Sequence, residues 1–181
     1  QFIVNYNNIT DNDFSFATTT SSTQGAITFQ CGVLGNEVCR YNNMTHNNLS
    51  YSQSYAMYMS YGINNTFLKN IITNTLNGIF LSVSDNNTLK EGILKNVTTG
   101  ISLSSSTKNN IFNFTIINTT SGISIVSNSA NNTFTNNTFI NNTLGVSITS
   151  GTDNYFFYNN FTNSTNNHIS SVVDNYFNTT S

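Results

Sequence analysis

Residues 64–85 read NNTFLKNIITNTLNGIFLSVSD, and residues 86–107 read NNTLKEGILKNVTTGISLSSST. Laid one above the other, they match at Asn64/Asn86, Asn65/Asn87, Phe67/Leu89, Ile72/Leu94, Asn74/Asn96, Gly78/Gly100, Ile79/Ile101 and Leu81/Leu103. The register continues through Gly122-Ile123 and Gly145-Val146, so the glycine recurs after 22, 22 and 23 residues. Asn167 extends the series by another 22, and asparagine tolerates the left-handed turn conformation that glycine supplies.

Every offset from this anchor gives a column. Eleven residues before it stand Phe67, Leu89, Ile111, Phe134 and Phe156, and six before stand Ile72, Leu94, Ile116, Phe139 and Phe161. Three after the first four anchors come Leu81, Leu103, Ile125 and Ile148. Asparagine forms two columns: Asn65, Asn87, Asn109, Asn132 and Asn154, then Asn74, Asn96, Asn118, Asn141 and Asn163. Like residues at a fixed period stack over one another, and stacked amides hydrogen-bond along the ~4.8 Å strand spacing. Several short strands per period without helical periodicity define an all-β chain, a single parallel β-helix of about seven coils. Crossovers between parallel strands are overwhelmingly right-handed, so the solenoid is expected to be right-handed. A leucine-rich repeat shares the period but wants a leucine consensus and a helical half, both missing here.

Working back from the quoted coils, residues 42–63 form one more, with Ala56 at the anchor and Met57 and Met59 facing in. The stretch from Tyr6 to Phe16 then recurs from Tyr41 to Tyr51, giving a first coil of about 35 residues from Asn7 that holds extra chain. The expected organisation is one domain over 1–181. It comprises an N-terminal strand at 1–6, a degenerate first coil at 7–41, regular coils over 42–174 and an incomplete last coil at 175–181. Cys31 and Cys39, with seven residues between them, are the only cysteines and read as a local disulfide stapling an excursion beside the solenoid. Two free thiols are the alternative.

Composition narrows the function. Of 181 residues only 7% are charged, and five Lys+Arg against seven Asp+Glu leave no basic surface for nucleic acid. Proline is absent and asparagine numbers 36, but 37% hydrophobic and 13% aromatic content argue against disorder. No apolar run approaches the ~18 residues of a membrane-spanning helix. Fourteen Asn-x-Ser/Thr sequons fit a secreted chain better than a cytosolic one, although an Asn- and Thr-rich sequence produces some by chance. The opening at Gln1, without Met or signal peptide, reads as a processed mature chain. The expected location is extracellular, at the cell surface.

The Asn-Asn-x-Phe…Asn…Gly-Ile-x-Leu pattern resembles the NosD-type repeats of the pectate-lyase-like β-helix superfamily, closely over 42–177 and loosely over 7–41. That resemblance implies a fold rather than a function, since the superfamily includes carbohydrate-active enzymes and archaeal surface proteins. It also raises copper, with Met44, Met57, Met59 and His46 as the candidate ligands, although Met57 and Met59 fall in core columns. His46 and His168 lie five coils apart, about 24 Å at the coil rise, and cannot share a metal. Enzymes on this scaffold cluster Asp/Glu with Arg or Lys on one face. Here Asp11, Asp13, Glu37, Asp85, Glu91, Asp153 and Asp174 are scattered, and Arg40 is the only arginine. Lys69 and Glu91 share an offset one coil apart and should form a surface ion pair. Asp153 and Asp174 should stack, as a solvated turn or a cation site. No catalytic residues, metal ligands or cofactors are expected beyond covalent N-glycans.

Charged members mark two columns as wet, which assigns glycans to Asn64, Asn86, Asn113, Asn131 and Asn136. Asn96, Asn118, Asn141 and Asn163, read as ladder members, should be bare. Tyr51, Tyr55, Tyr58 and Tyr61 fall in one coil, a candidate glycan-recognition patch or a packing surface. With little sequence for a cap at either end, Phe2, Ile3 and Val4 read as a strand to be donated to the unfinished coil at Tyr176 and Phe177 of another copy. The leading expectation is therefore a structural subunit of an extracellular filament or sheath, with copies of itself as partners. A cell-surface adhesin with glycan partners is the alternative, and a degenerate carbohydrate-active enzyme the third.

Overall fold

A three-residue strand with one apolar side chain between two polar ones buries its centre and wets its flanks. The chain repeats this unit through a computed structural model that describes residues 5–15, 25–32, 38–166, 168–171 and 174–178. All regular elements among the described residues are strands. No helix among them is long and apolar enough to cross a membrane.

Three parallel sheets run along the solenoid. The first has eight strands: Asn8–Thr10, Asn43–Thr45, Thr66–Leu68, Thr88–Lys90, Asn110–Phe112, Thr133–Thr135, Tyr155–Phe157 and Tyr176–Asn178. The second has five, from Ile71–Thr73 to Asn160–Thr162, and the third has seven, from Gly25–Gln30 to Ile169–Ser171. A two-stranded ladder of Cys39–Arg40 with Gly62–Ile63 closes one corner. Each strand pairs with its equivalent one coil away. The eight strands of the first sheet thus mark about seven coils of a right-handed parallel β-helix.

The registers are those the sequence columns require. Phe67, Leu89, Ile111, Phe134 and Phe156 are successive partners, as are Ile72, Leu94, Ile116, Phe139 and Phe161. All are buried except Phe161, which is partly so, and each buried side chain contributes roughly 1.5–3 kcal/mol. Phe134 and Phe156 stack at 4.5 Å, and Phe139 and Phe161 at 4.6 Å, with rings within 6° of parallel.

The anchor glycines have a different cause from the one expected. Gly78, Gly100, Gly122 and Gly145 do not have positive φ. A Cβ on Gly100 would instead stand 2.4 Å from the carbonyl oxygen of Gly122, and one on Gly78 2.2 Å from that of Gly100. Close stacking, not a left-handed turn, excludes a side chain. The last anchor is His168 rather than Asn167, because Val146 pairs with Ile169; Asn167 lies outside the described residues.

Left-handed backbone occurs at the corners. Among the described residues, twenty-five other than glycine have φ between 47° and 61°. They form four columns, one of which runs Asp11, His46, Lys69, Glu91, Asn113, Asn136, Tyr158. Asn fills eleven of these 25 places and Asp two, as the left-handed conformation favours.

The first asparagine column is a ladder running Asn7, Asn42, Asn65, Asn87, Asn109, Asn132, Asn154, Asn175, buried from Asn42 to Asn154. The second is not buried. Asn74, Asn96, Asn118, Asn141 and Asn163 occupy an exposed left-handed corner, where Asn96 donates to Asn74 (2.9 Å) and Asn118 to Asn96 (3.1 Å). A further interior ladder links Asn12, Asn47 and Asn70, and resumes at Asn137 and Asn159.

The first coil carries two insertions. Asn8 pairs with Asn43, 35 residues on, Gly25 with Tyr55, 30 on, and Cys39 with Gly62, 23 on. Five extra residues therefore enter between the first and third sheets, and seven between the cysteines. The Cys31–Cys39 disulfide is present, with Cα atoms 5.9 Å apart. Its place corrects the sequence reading, because both cysteines are buried in the solenoid wall. Cys31 N–H donates to Ser60 O (3.4 Å) and Cys39 N–H to Tyr61 O (3.0 Å). Residues 33–37, between them, lie outside the described residues.

Candidate functional site

The corners decide what the surface offers. Asn86, Asn113, Asn131 and Asn136 are exposed and Asn64 is half-buried, all with φ of 55–59°. The Asn86 amide donates to Asn64 Oδ1. Asn96, Asn118, Asn141 and Asn163 are exposed at an equivalent corner, where Asn74, Asn96 and Asn118 form part of the amide ladder expected there. Asn96, Thr98, Asn118, Thr120, Asn141 and Thr143, among others, line an open groove of about 510 Å³ along this corner.

The tyrosine coil is mostly packing. Tyr51 and Tyr61 are 48% and 40% exposed, whereas Tyr58 is buried and Tyr55 half-buried. Tyr55 and Tyr58 pack on Phe80 with ring centroids 5.2 and 5.5 Å away. Burial, with Tyr55 as a lesser cause, raises the Tyr58 phenol above its ordinary pKa. The Tyr61 ring lies over Gly32, where a Cβ would meet it at 2.2 Å.

The carboxylates do not converge. Lys69 and Glu91 form the expected surface pair at 3.6 Å. Asp85 accepts the Thr107 N–H at 2.6 Å, and His46 Nδ1 lies 3.9 Å from Asp11. Hydrogen bonds from Ser15 lower the Asp13 pKa. Asp153 stacks on Asp174 as expected, its N–H donating to the Asp174 carbonyl at 3.1 Å. The Asp153 carboxylate is the main cause raising the Tyr176 phenol, with Tyr155 next. Among the described residues no three His, Cys, Asp or Glu could hold a metal ion. Glu37 lies outside the described residues.

Phe2, Ile3 and Val4, the strand expected to be donated, lie outside the described residues; Asn5 and Tyr6, which follow them, belong to their own first coil. Arg40 N–H donates to Asn5 Oδ1 (2.7 Å), Tyr6 N–H donates to Arg40 O (3.0 Å), and the Tyr6 ring stacks on Tyr41 at 5.0 Å. At the other end Tyr176 and Phe177 are 51% and 41% exposed, stacked on Tyr155 (4.7 Å) and Phe156 (5.1 Å). Sequence reasoning missed the ladder rungs Asn7 and Asn12 on the first coil. The signal was there, in Asn-Asn pairs at residues 42–43 and 47–48 that repeat those positions.

A coil wall this regular defines a parallel β-solenoid. The family model described as "Periplasmic copper-binding protein (NosD)" matches residues 4–181, and the chain belongs to that family. No curated protein and no solved structure matches the chain. The copper in that description does not fit the candidate donors. Met44, Met57 and Met59 point into the core at 0–1% exposure, and the Met59 sulfur accepts an Asn65 amide hydrogen bond (3.4 Å). His46 stands on the outer corner beside Asp11. The sulfurs and the imidazole thus lie on opposite faces of the wall and make no shared ligand set.

Proposed function

We propose that the chain is a structural subunit of an extracellular glycosylated filament or sheath, built by stacking β-helices coil on coil. The observation that carries this reading is the in-register stacking of the coils: each strand pairs with its equivalent one coil away, and the same contact between copies would build a fibre. Asn5 and Tyr6 pair within their own coil, which supports coil stacking as the joint. The family's periplasmic description and the buried disulfide support a place outside the cytoplasm. The scatter of carboxylates supports a non-catalytic role.

Glycans on the exposed corner asparagines Asn86, Asn113, Asn131 and Asn136, and on Asn64, belong to this reading. Negative-stain microscopy of the native material tests it. Regular fibres about one β-helix wide are expected, and a monodisperse monomer at every concentration overturns it. A second reading, a glycan-binding surface module, is favoured by the hydroxyl- and amide-lined groove beside Asn96 and Asn118. Binding on a glycan array that is lost with Thr120→Val supports it.

A further inference from the structure

Buried and exposed asparagines use their amide protons differently. In the buried ladder both Nδ2 protons are held. Asn87 donates one to Asn109 Oδ1 (3.0 Å) and the other to Gly62 O (3.0 Å). Asn132 does the same with Asn154 Oδ1 (2.9 Å) and Ser106 O (3.0 Å). On the exposed row each amide gives one proton, Asn96 to Asn74 Oδ1 (2.9 Å) and Asn118 to Asn96 Oδ1 (3.1 Å). An asparagine amide carries two N–H donors, so each of these two keeps one that no other described residue accepts.

Strand alternation decides which asparagines head an Asn-x-Ser/Thr triplet. Two residues after a buried ladder asparagine stands a core side chain, Phe67 after Asn65 and Leu89 after Asn87. Two after a row asparagine stands an exposed threonine: Thr98 after Asn96, Thr120 after Asn118 and Thr143 after Asn141. None of the buried asparagines among the described residues heads a triplet. The three row asparagines and their three threonines line the open groove of about 510 Å³, over a floor that includes the buried Val97 and Thr119. The hydroxyls of Thr98, Thr120 and Thr143 make no hydrogen bond with other described residues, and no charged side chain lines the groove. Free hydroxyls and amides beside a small apolar floor suit a neutral polyhydroxyl ligand, a sugar.

We propose that Asn118 carries an N-linked glycan whose first sugar lies in this groove. The proposal deepens the glycosylated reading and rests on it. Asn118 stands in the middle coil of the groove, with Asn96 and Asn141 one coil to either side. The sugar comes from an activated donor, a sugar pyrophosphate delivered by a glycosyltransferase. The bond from sugar C1 to the phosphate oxygen breaks and that oxygen keeps the electron pair. C1 bonds to Nδ2, which releases one proton to solvent. Asn118 has a proton for this step and another for the row. The product is a secondary amide, whose trans form keeps the N–H that points away from its own carbonyl. That is the proton an in-line stack of amides passes from rung to rung, so the bond to Asn96 Oδ1 survives. The row therefore tolerates a sugar that the buried ladder, with both protons held, does not. A tethered sugar also closes the groove to a free one.

Glycopeptide mass spectrometry of the native full chain, with fragmentation that localises each sugar, tests the site without any substitution. A glycan on Asn118 is expected. Glycans on Asn64, Asn86, Asn113, Asn131 or Asn136 with Asn118 bare overturn this site and leave the glycosylated reading standing. A chain without any glycan overturns the two together. Thr120→Val should abolish the sugar on Asn118 alone, and Thr120→Ser, which keeps the triplet hydroxyl, should retain it. Unchanged occupancy of Asn118 in Thr120→Val overturns the assignment of that triplet. A second measurement addresses the groove. In the folded glycoprotein the anomeric proton of the Asn118 sugar should show nuclear Overhauser contacts to the methyl of Thr98 or Thr143. An occupied Asn118 with neither contact overturns the seat in the groove.

Discussion

Val83 occupies a left-handed corner with φ of 47° and is 40% exposed, in the column of Tyr61 and Ser105. A β-branched side chain is the least suited to that conformation, whereas asparagine fills eleven equivalent corners. Val83→Asn should therefore stabilise the fold by about 1 kcal/mol, read as a higher denaturation midpoint at unchanged slope. A lower midpoint would show that the valine packs rather than strains. Gly100 poses the opposite case. Its backbone is not left-handed, so only space forbids a side chain, and a Cβ would lie 2.4 Å from Gly122 O. Gly100→Ala should cost about 1–3 kcal/mol by forcing two coils apart. These two residues show how far residue type can be read locally. The repeat marked glycine as necessary, but a sequence cannot tell a turn requirement from a contact with a carbonyl 22 residues away.

At the scale of the column, legibility depended on uniformity. The Phe/Leu/Ile columns and the Asn65 ladder use one residue type per place, so they were plain in the sequence. The second buried ladder was not, because Gly92 and Phe114 interrupt it between Asn70 and Asn137. The interruption is one unit. A Cβ on Gly92 would meet the Phe114 ring at 2.4 Å, so the ring of one coil fills the place left empty in the coil below. Gly92→Asn alone should then cost about 1–3 kcal/mol through overpacking. Phe114→Asn alone should cost about 3–5 kcal/mol through the lost ring. Together the substitutions would restore an unbroken ladder from Asn47 to Asn159. A double-mutant cycle should give a favourable coupling of at least about 1 kcal/mol. Additive losses would mean that the ladder does not form across these coils.

For the molecule as a whole, each coil touches only its neighbours, so stability is close to a sum of coil terms and nearest-neighbour interfaces. The disulfide belongs to the first described coil, which carries both insertions. Closing a short loop contributes about 2–3 kcal/mol in the chain-entropy model. Because Cys31 and Cys39 are buried in the wall, replacing them also places two hydroxyls against the core, which adds to the loss. Cys39 pairs directly with Gly62, so the damage is handed to the second coil and fades beyond it. Cys31→Ser with Cys39→Ser should therefore speed amide exchange at Ile27 and Phe29 by about a hundredfold, the equivalent of roughly 2.7 kcal/mol. Protection at Leu103, Ile125 and Phe134 should be unchanged, and the circular dichroism signal should fall only by the share of the first coil. Uniform loss of protection along the chain would mean that the solenoid folds as one cooperative unit, with the first coil as its nucleus rather than its frayed end.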